Sequence, residues 1–168
     1  MKAYVVNQND AGQRLDKYVT KLCPFLPKSL LYKGIRKKRI KINGKAGKLD
    51  QILQFGEKIE LYINDEFFEK HEKDVLDIKV DLDIIYEDEN IIVVNKPSGI
   101  IVHEDEGEKI NTLINQIIKY LYDKKEYLPE QENTFVPALC NRIDRNTSGL
   151  VLAAKNSATL RVINEKIK

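Results

Sequence analysis

The 168-residue chain has no tryptophan, one methionine, two cysteines and two histidines. Each scarcity removes a class of function. Cys23 and Cys140 stand far apart with no CxxC or metal-ligand spacing, so neither a disulfide scaffold nor a thiolate zinc site is expected. Free thiols in a reducing compartment are the simplest reading, and a cytoplasmic protein is expected. His71 and His103 are too few and too isolated for a histidine metal centre. No apolar run approaches the length that crosses a bilayer, and "MKAYVVNQNDAGQRLDKYV" lacks the apolar centre of a secretory signal. No glycine-rich phosphate loop, internal repeat or low-complexity tract is present. What remains is a globular composition, 42% hydrophobic and 32% charged, which argues against disorder.

The net charge of +2 conceals a strong segregation. Between Arg14 and Lys48 stand 12 Lys or Arg against one acid, Asp16, a local charge of +11 that leaves −9 for the rest. Such a split suggests a polyanion-binding module joined to a different body, with nucleic acid the first candidate. A membrane surface fits less well, because "LLYKGIRKKRIKING" lacks a long amphipathic helix. A merely solvated basic face is the bland alternative.

Apolar spacing in "AGQRLDKYVTKL" predicts a helix through Leu15, Tyr18, Val19 and Leu22, ended by the prolines of "CPFLP". "KSLLYKGIRKK" reads as a second short helix. "RIKING" alternates and closes in Asn43-Gly44, a tight-turn signal, and "GEKIELYI" alternates again as a closing strand. Residues 1–65 are therefore expected to form helix, helix and a small sheet. Residues 66–80 read as a charged, solvated linker that includes His71. Residues 81–168 open with two β-branched runs around "EDEN", a hairpin signature, followed by "KPSG". There Pro97 fixes φ and Gly99 permits positive φ. "NTLINQIIKYL" is an amphipathic helix, "YDKKEYLPEQENT" a polar loop, and "NSATLRVINEKIK" a last helix carrying Leu160 and Ile163. The fold class is α+β, with mainly antiparallel strands in the second part.

The chemistry concentrates in "NRIDRNTSGLVLAAK", where Asp144 stands between Arg142 and Arg145 at the head of a strand. No second acid or ligand cluster accompanies it, so neither a paired-carboxylate hydrolase nor a metal site is indicated. The arginines favour an ionised carboxylate and can hold phosphates, and Asn146, Thr147 and Ser148 are expected to stiffen the turn by local hydrogen bonds. From the residues alone, an Asp–Arg pair stapling a turn is the more economical reading. A preorganised nucleophile is the alternative.

The same segment resembles the signature of the RluA-type pseudouridine synthases, in Arg142, Asp144, Thr147, Ser148, Gly149 and Leu150. Asn95, Lys96, Pro97, Gly99 and His103 resemble the family's earlier motif. "RLDKYV", "IRKKRIKING" and "GEKIEL" resemble the small RNA-binding domain named after ribosomal small-subunit protein four. The resemblance implies that Asp144 is the catalytic nucleophile and that Arg142 fills the space left by a flipped uridine. Flipping is required because a stacked base hides its glycosidic bond. It further implies an isomerisation within one nucleotide that needs no cofactor and no metal, on structured RNA, most plausibly ribosomal, with transfer RNA a further candidate. Arg14, Arg36, Lys37, Lys38, Arg39, Lys41, Asn43 and Lys45 are the expected RNA-binding residues. Asn141 replaces a histidine common in the signature. The family's stacking tyrosine and the basic partner of its aspartate follow the signature at a distance that this sequence does not reach. None of Tyr120, Tyr122 and Tyr127 fits that role. The sequence alone therefore reads as a truncated synthase of low turnover, with RNA binding without catalysis as the rival. Lys96, Pro97 and Gly99 are expected to shape a loop, and His103 to make a structural hydrogen bond.

Overall fold

The computed structural model describes residues 1–68 and 77–168. Most of the 66–80 linker, His71 included, lies outside the described residues. Contacts divide the chain into two units. One holds the described residues of Met1–Glu72 together with Glu130–Phe135, and the other the described residues of Lys73–Pro129 together with Val136–Lys168.

In the first unit the two predicted helices form, α1 over Leu15–Leu22 and α2 over Lys28–Arg36. Leu15, Tyr18 and Val19 of α1 are fully buried against Ile40, Leu53, Ile59 and Leu61. Three strands follow the helices: β2 (Ile40–Ile42), β3 (Lys45–Ala46) and β4 (Lys58–Leu61). The Asn43-Gly44 turn joins β2 to β3, with φ of 50° and 78°, the left-handed pair that a two-residue hairpin demands. One strand precedes the helices and was not anticipated: β1, Lys2–Val5. It pairs antiparallel with β4, Lys2 opposite Leu61, and gives the sheet order β1-β4-β2-β3. Gly47 is held against α1, where a Cβ would stand 2.6 Å from Leu15 Cδ2.

The polar loop 130–135 groups with this unit. Asp10 is fully buried there. Its carboxylate accepts from Asn133 Nδ2 at 2.8 Å, Thr134 Oγ1 at 2.5 Å and the Asn7 amide at 3.2 Å. A buried carboxylate is tolerated when several donors replace its water.

The second unit carries the expected hairpin, β5 (Ile84–Glu87) and β6 (Ile91–Lys96). Asp88 Oδ1 closes its turn by accepting from the amides of Asn90 and Ile91, at 2.7 and 2.9 Å. Next come α3 (Leu113–Asp123), β7 (Ala138–Leu139), β8 (Gly149–Ala154) and α4 (Ser157–Ile167). All strand pairings are antiparallel in the order β5-β6-β8-β7. Thr112 caps α3 through the Asn115 amide, and Leu113, Ile117 and Leu121 pack on Ile92, Val94 and Val151. On α4 no residue is buried, and Val162 and Ile167 are exposed. The α+β class expected from the sequence is observed. Among the described residues no helix is long and apolar enough to cross a membrane.

Candidate active site

The register of β6 against β8 brings the two sequence motifs together. Lys96, the last residue of β6, lies opposite Gly149, the first of β8. The loops that leave these strands, 97–100 and 144–148, must therefore run side by side. Lys96 fastens them. Its side chain is fully buried, and its ammonium donates to the carbonyls of Pro97 at 2.9 Å, Ile100 at 2.7 Å and Arg145 at 3.0 Å. Burial lowers the lysine's proton affinity, and the nearby Asp144 carboxylate opposes that shift. Gly99 donates its amide to Arg145 O at 2.7 Å from a φ of 101°, a conformation that glycine adopts without strain. Ser98 Oγ donates to Asn146 O at 3.0 Å.

The stiffness expected from the side chains of Asn146, Thr147 and Ser148 has a different origin. Within the turn itself the bond is backbone to backbone, from the Thr147 amide to Asp144 O at 3.1 Å. The remaining rigidity is supplied by the 97–100 loop. Asn141 has a job of its own. Its side-chain amide donates to Leu150 O at 3.1 Å and accepts from the Leu152 amide at 2.8 Å, so it stands in for a peptide group and prolongs the pairing of β7 with β8.

Asp144 and Arg142 are both exposed on this pinned turn. They line a cleft of about 400 Å³ with Ile101, Val102, His103, Glu104, Asp105, Ile143 and Arg145. The expected clamp of two arginines on Asp144 is not formed. Arg145 turns to Asp105, with Nη2 3.1 Å from Oδ2. Among the described residues neither Asp144 nor Arg142 has an ion-pair partner within 4.0 Å. The turn is thus held by backbone bonds and by Lys96, which leaves the carboxylate and the Arg142 guanidinium facing solvent. The economical reading of an Asp–Arg staple does not describe this loop.

His103 makes no side-chain hydrogen bond among the described residues, contrary to the structural role expected of it. Its ring lines the cleft, and its pKa lies below the ordinary imidazole range because burial disfavours the charged form and Arg142 adds repulsion. Tyr120 donates to Glu87 Oε2 at 2.7 Å and Tyr127 is buried in the core, so both are committed away from the cleft. Among the described residues no three His, Cys, Asp or Glu side chains gather as metal ligands.

In the first unit, Arg36, Lys37, Lys38, Arg39 and Lys45 are exposed along the end of α2 and the β2–β3 turn. Lys41 is half-buried, with its ammonium 5.3 Å from the centre of the Tyr62 ring. Two expected RNA-binding residues have other occupations. Arg14 forks onto Asp16, Nε to Oδ1 at 3.1 Å and Nη2 to Oδ2 at 3.0 Å. Asn43 Oδ1 accepts from the Lys58 amide at 2.9 Å, fixing the turn. Lys38 has a φ of 56°. It ends α2 in a Schellman geometry, its amide bonded to Ile35 O and that of Arg39 to Gly34 O, at a position where glycine is the usual residue.

Residues 90–168 match the family model described as RNA pseudouridylate synthase. An uncharacterized RNA pseudouridine synthase of Mycoplasma capricolum is 36% identical over 170 residues, covering 100% of this chain and 55% of the relative. A ribosomal large subunit pseudouridine synthase C of Vibrio parahaemolyticus is 31% identical, covering 97% of this chain and 50% of its own length. The chain therefore spans about half the length of these relatives. The chain is thus similar to RNA pseudouridine synthases, through the family model over residues 90–168 and through relatives aligned along nearly its whole length.

Proposed function

We propose that this chain takes part in converting uridine to pseudouridine in RNA, with Asp144 as nucleophile and Arg142 as the residue that fills the stack when the base is extruded. One observation carries the reading. The residues matched to the family model place an unpaired carboxylate and an unpaired guanidinium on a single turn pinned by the buried Lys96, facing an open cleft. A nucleophile must be accessible and fixed in place, and this turn meets both demands. The Asp144 carboxylate bonds to the ribose or to the uracil ring, the N1–C1′ bond breaks, the uracil turns, and C5 bonds to C1′ while the bond to Asp144 breaks again. The C5 proton leaves to solvent and N1 takes one up, so the product is an isomer of the substrate. Arg142, free of a protein partner, is available to a base or a phosphate.

The basic stretch from Arg14 to Lys48 supplies RNA affinity in this reading, through Arg36, Lys37, Lys38, Arg39, Lys41 and Lys45, with Arg14 and Asn43 contributing less because each already holds an internal partner. The relatives' names favour large-subunit ribosomal RNA as the substrate. Carbodiimide labelling followed by mass spectrometry of an unmodified ribosomal transcript tests the proposal. Site-specific conversion by a protein carrying these residues, lost in Asp144→Asn, supports it. Undiminished conversion by that variant removes Asp144 from the mechanism.

A second reading, RNA binding without turnover, is favoured by one observation: no cation pairs with Asp144 among the described residues. Tight RNA binding with no conversion under the same conditions would select it.

A further inference from the structure

The basic stretch accounts for affinity but not for the shape of the surface beside it. A cavity of about 200 Å³ opens in the first unit where α2 meets the end of β4. Its floor is apolar, built from Leu26, Ile63 and Phe67, all packed on the unit's core. One wall is Tyr62, 40% exposed, and the rim on the α2–β2 side carries Lys33 and Arg39. The Tyr62 ring is fixed from two directions. Its hydroxyl donates to Glu60 Oε2 at 2.9 Å, and the Lys41 ammonium stands 5.3 Å from its centre.

The geometry points to a slot for one unpaired nucleobase, with the flanking phosphates held by Lys33, Arg39 and their neighbours. This rests on the RNA-binding reading above and adds to it a stacking interaction that phosphate binding alone does not require. Charge decides the occupant. An apolar pocket with an aromatic wall would suit a peptide side chain equally well, but this one adjoins the run Arg36–Arg39 inside a stretch of net charge +11. Aromatic platforms interleaved with cations are how single strands are gripped, because every base offers a π-face and every phosphate a charge. The volume suits a single base and not a base pair. Asp65 and Glu66 follow the pocket residue Asn64, so the strand's backbone is expected on the α2–β2 side, away from those acids. A ring already oriented loses little freedom on stacking.

The test uses the 168-residue chain and a short oligouridylate, read by fluorescence anisotropy across a salt series. Tyr62→Ala should weaken binding about fivefold to 100-fold, the range for removing one base–aromatic stack, and leave the salt slope unchanged because every phosphate remains held. Tyr62→Phe keeps the ring and should bind as the parent does. An oligonucleotide with abasic sites throughout should bind the parent chain more weakly by the same factor and show no further weakening with Tyr62→Ala. If Tyr62→Ala bound with parental affinity and slope, the slot would be wrong while RNA binding stood. If the parent bound neither oligouridylate nor structured RNA at low salt, the RNA-binding reading itself would fall, and the slot with it. If an oligoglutamate peptide, and not oligouridylate, shifted the NMR signals of Tyr62 and Phe67, the pocket would be a peptide groove and the inference overturned.

Discussion

The two units use charged residues in opposite ways. In the first, cations are numerous, exposed and mostly unpaired, and among the described residues the ion pairs within the unit are Arg14 with Asp16 and Lys58 with Glu60. In the second, the cleft depends on a few groups whose positions are fixed to within a hydrogen bond: Lys96, Ser98 and Gly99 hold the turn that presents Asp144. Attraction to a polyanion grows with the number of charges and tolerates imprecise placement. Bond-making requires one atom in one place. Substitutions in the basic stretch should therefore act in small, nearly additive steps, and substitutions in the cleft in single large ones.

The largest expected effect is that of Asp144→Asn. Uridine conversion should fall by roughly 10³-fold or more, while RNA affinity changes little, because the swap is nearly isosteric and removes only the nucleophile. Mass spectrometry of the RNA and a filter-binding titration on the same preparation separate the two. A parallel drop in affinity would break the division between the units' roles.

Next is Lys96→Met, which keeps the apolar stem and deletes the ammonium. The carbonyls of Pro97 and Ile100 then lose their donor while that of Arg145 keeps the Gly99 amide, so unfolding by urea should show a destabilisation of about 2–4 kcal/mol. The cleft turn should then lose its amide-exchange protection before the rest of the second unit does. A neutral result would mean that the loops hold together without the lysine.

The basic stretch should respond more gently. Lys38→Ala with Arg39→Ala should weaken binding to many RNAs alike, by about tenfold at low salt, and flatten the log–log salt slope by about 0.7 to 0.9 for each phosphate no longer held. Sequence-selective weakening would show base reading where only charge is expected.

Acid should affect the second unit through Glu87. Burial raises its pKa, but hydrogen bonds from Lys124, Lys155 and Tyr120 outweigh that and hold it down at about 2, against an ordinary 4.5. The folded value lies below the unfolded one, so this carboxylate's contribution is full above about pH 4.5 and is lost as pH falls toward 2. Denaturation across that window should show a steeper acid decline in the parent than in Glu87→Gln.

The smallest effect gives the sharpest comparison. Lys38 and Lys125 both follow a helix in left-handed backbone, with φ of 56° and 61°. Each has the same pair of Schellman bonds, from Lys38 and Arg39 in α2 and from Lys125 and Glu126 in α3. Either Lys→Gly change should stabilise its unit by about 1 kcal/mol, by removing a Cβ from a crowded conformation. Only Lys38→Gly should weaken RNA binding as well. Equal binding by both variants would remove Lys38 from the interface.

By itself the sequence determined whatever depends on near neighbours. Apolar spacing specified α1, α2 and α3. Asn43-Gly44 specified its turn and "EDEN" the β5–β6 hairpin, since turn chemistry and side-chain period act over a few residues. It also marked Asp144 and Arg142 as the residues of interest, and the segregation of charge into residues 14–48. Tertiary structure decided everything that joins distant segments. β1 is a short strand whose identity comes from pairing with β4, more than fifty residues away. Lys96 is expected from the sequence to shape a loop, but its burial under the carbonyl of Arg145 comes from the β6–β8 register. Arg145 was expected to serve Asp144, yet Asp105 is the carboxylate within its reach. The loop 130–135 reads only as polar, and the fold alone gives Asn133 and Thr134 the buried Asp10 as partner. Partner choice among charges and hydrogen-bonding groups is settled by distances of about 3 Å, and a linear order of residues does not contain those distances.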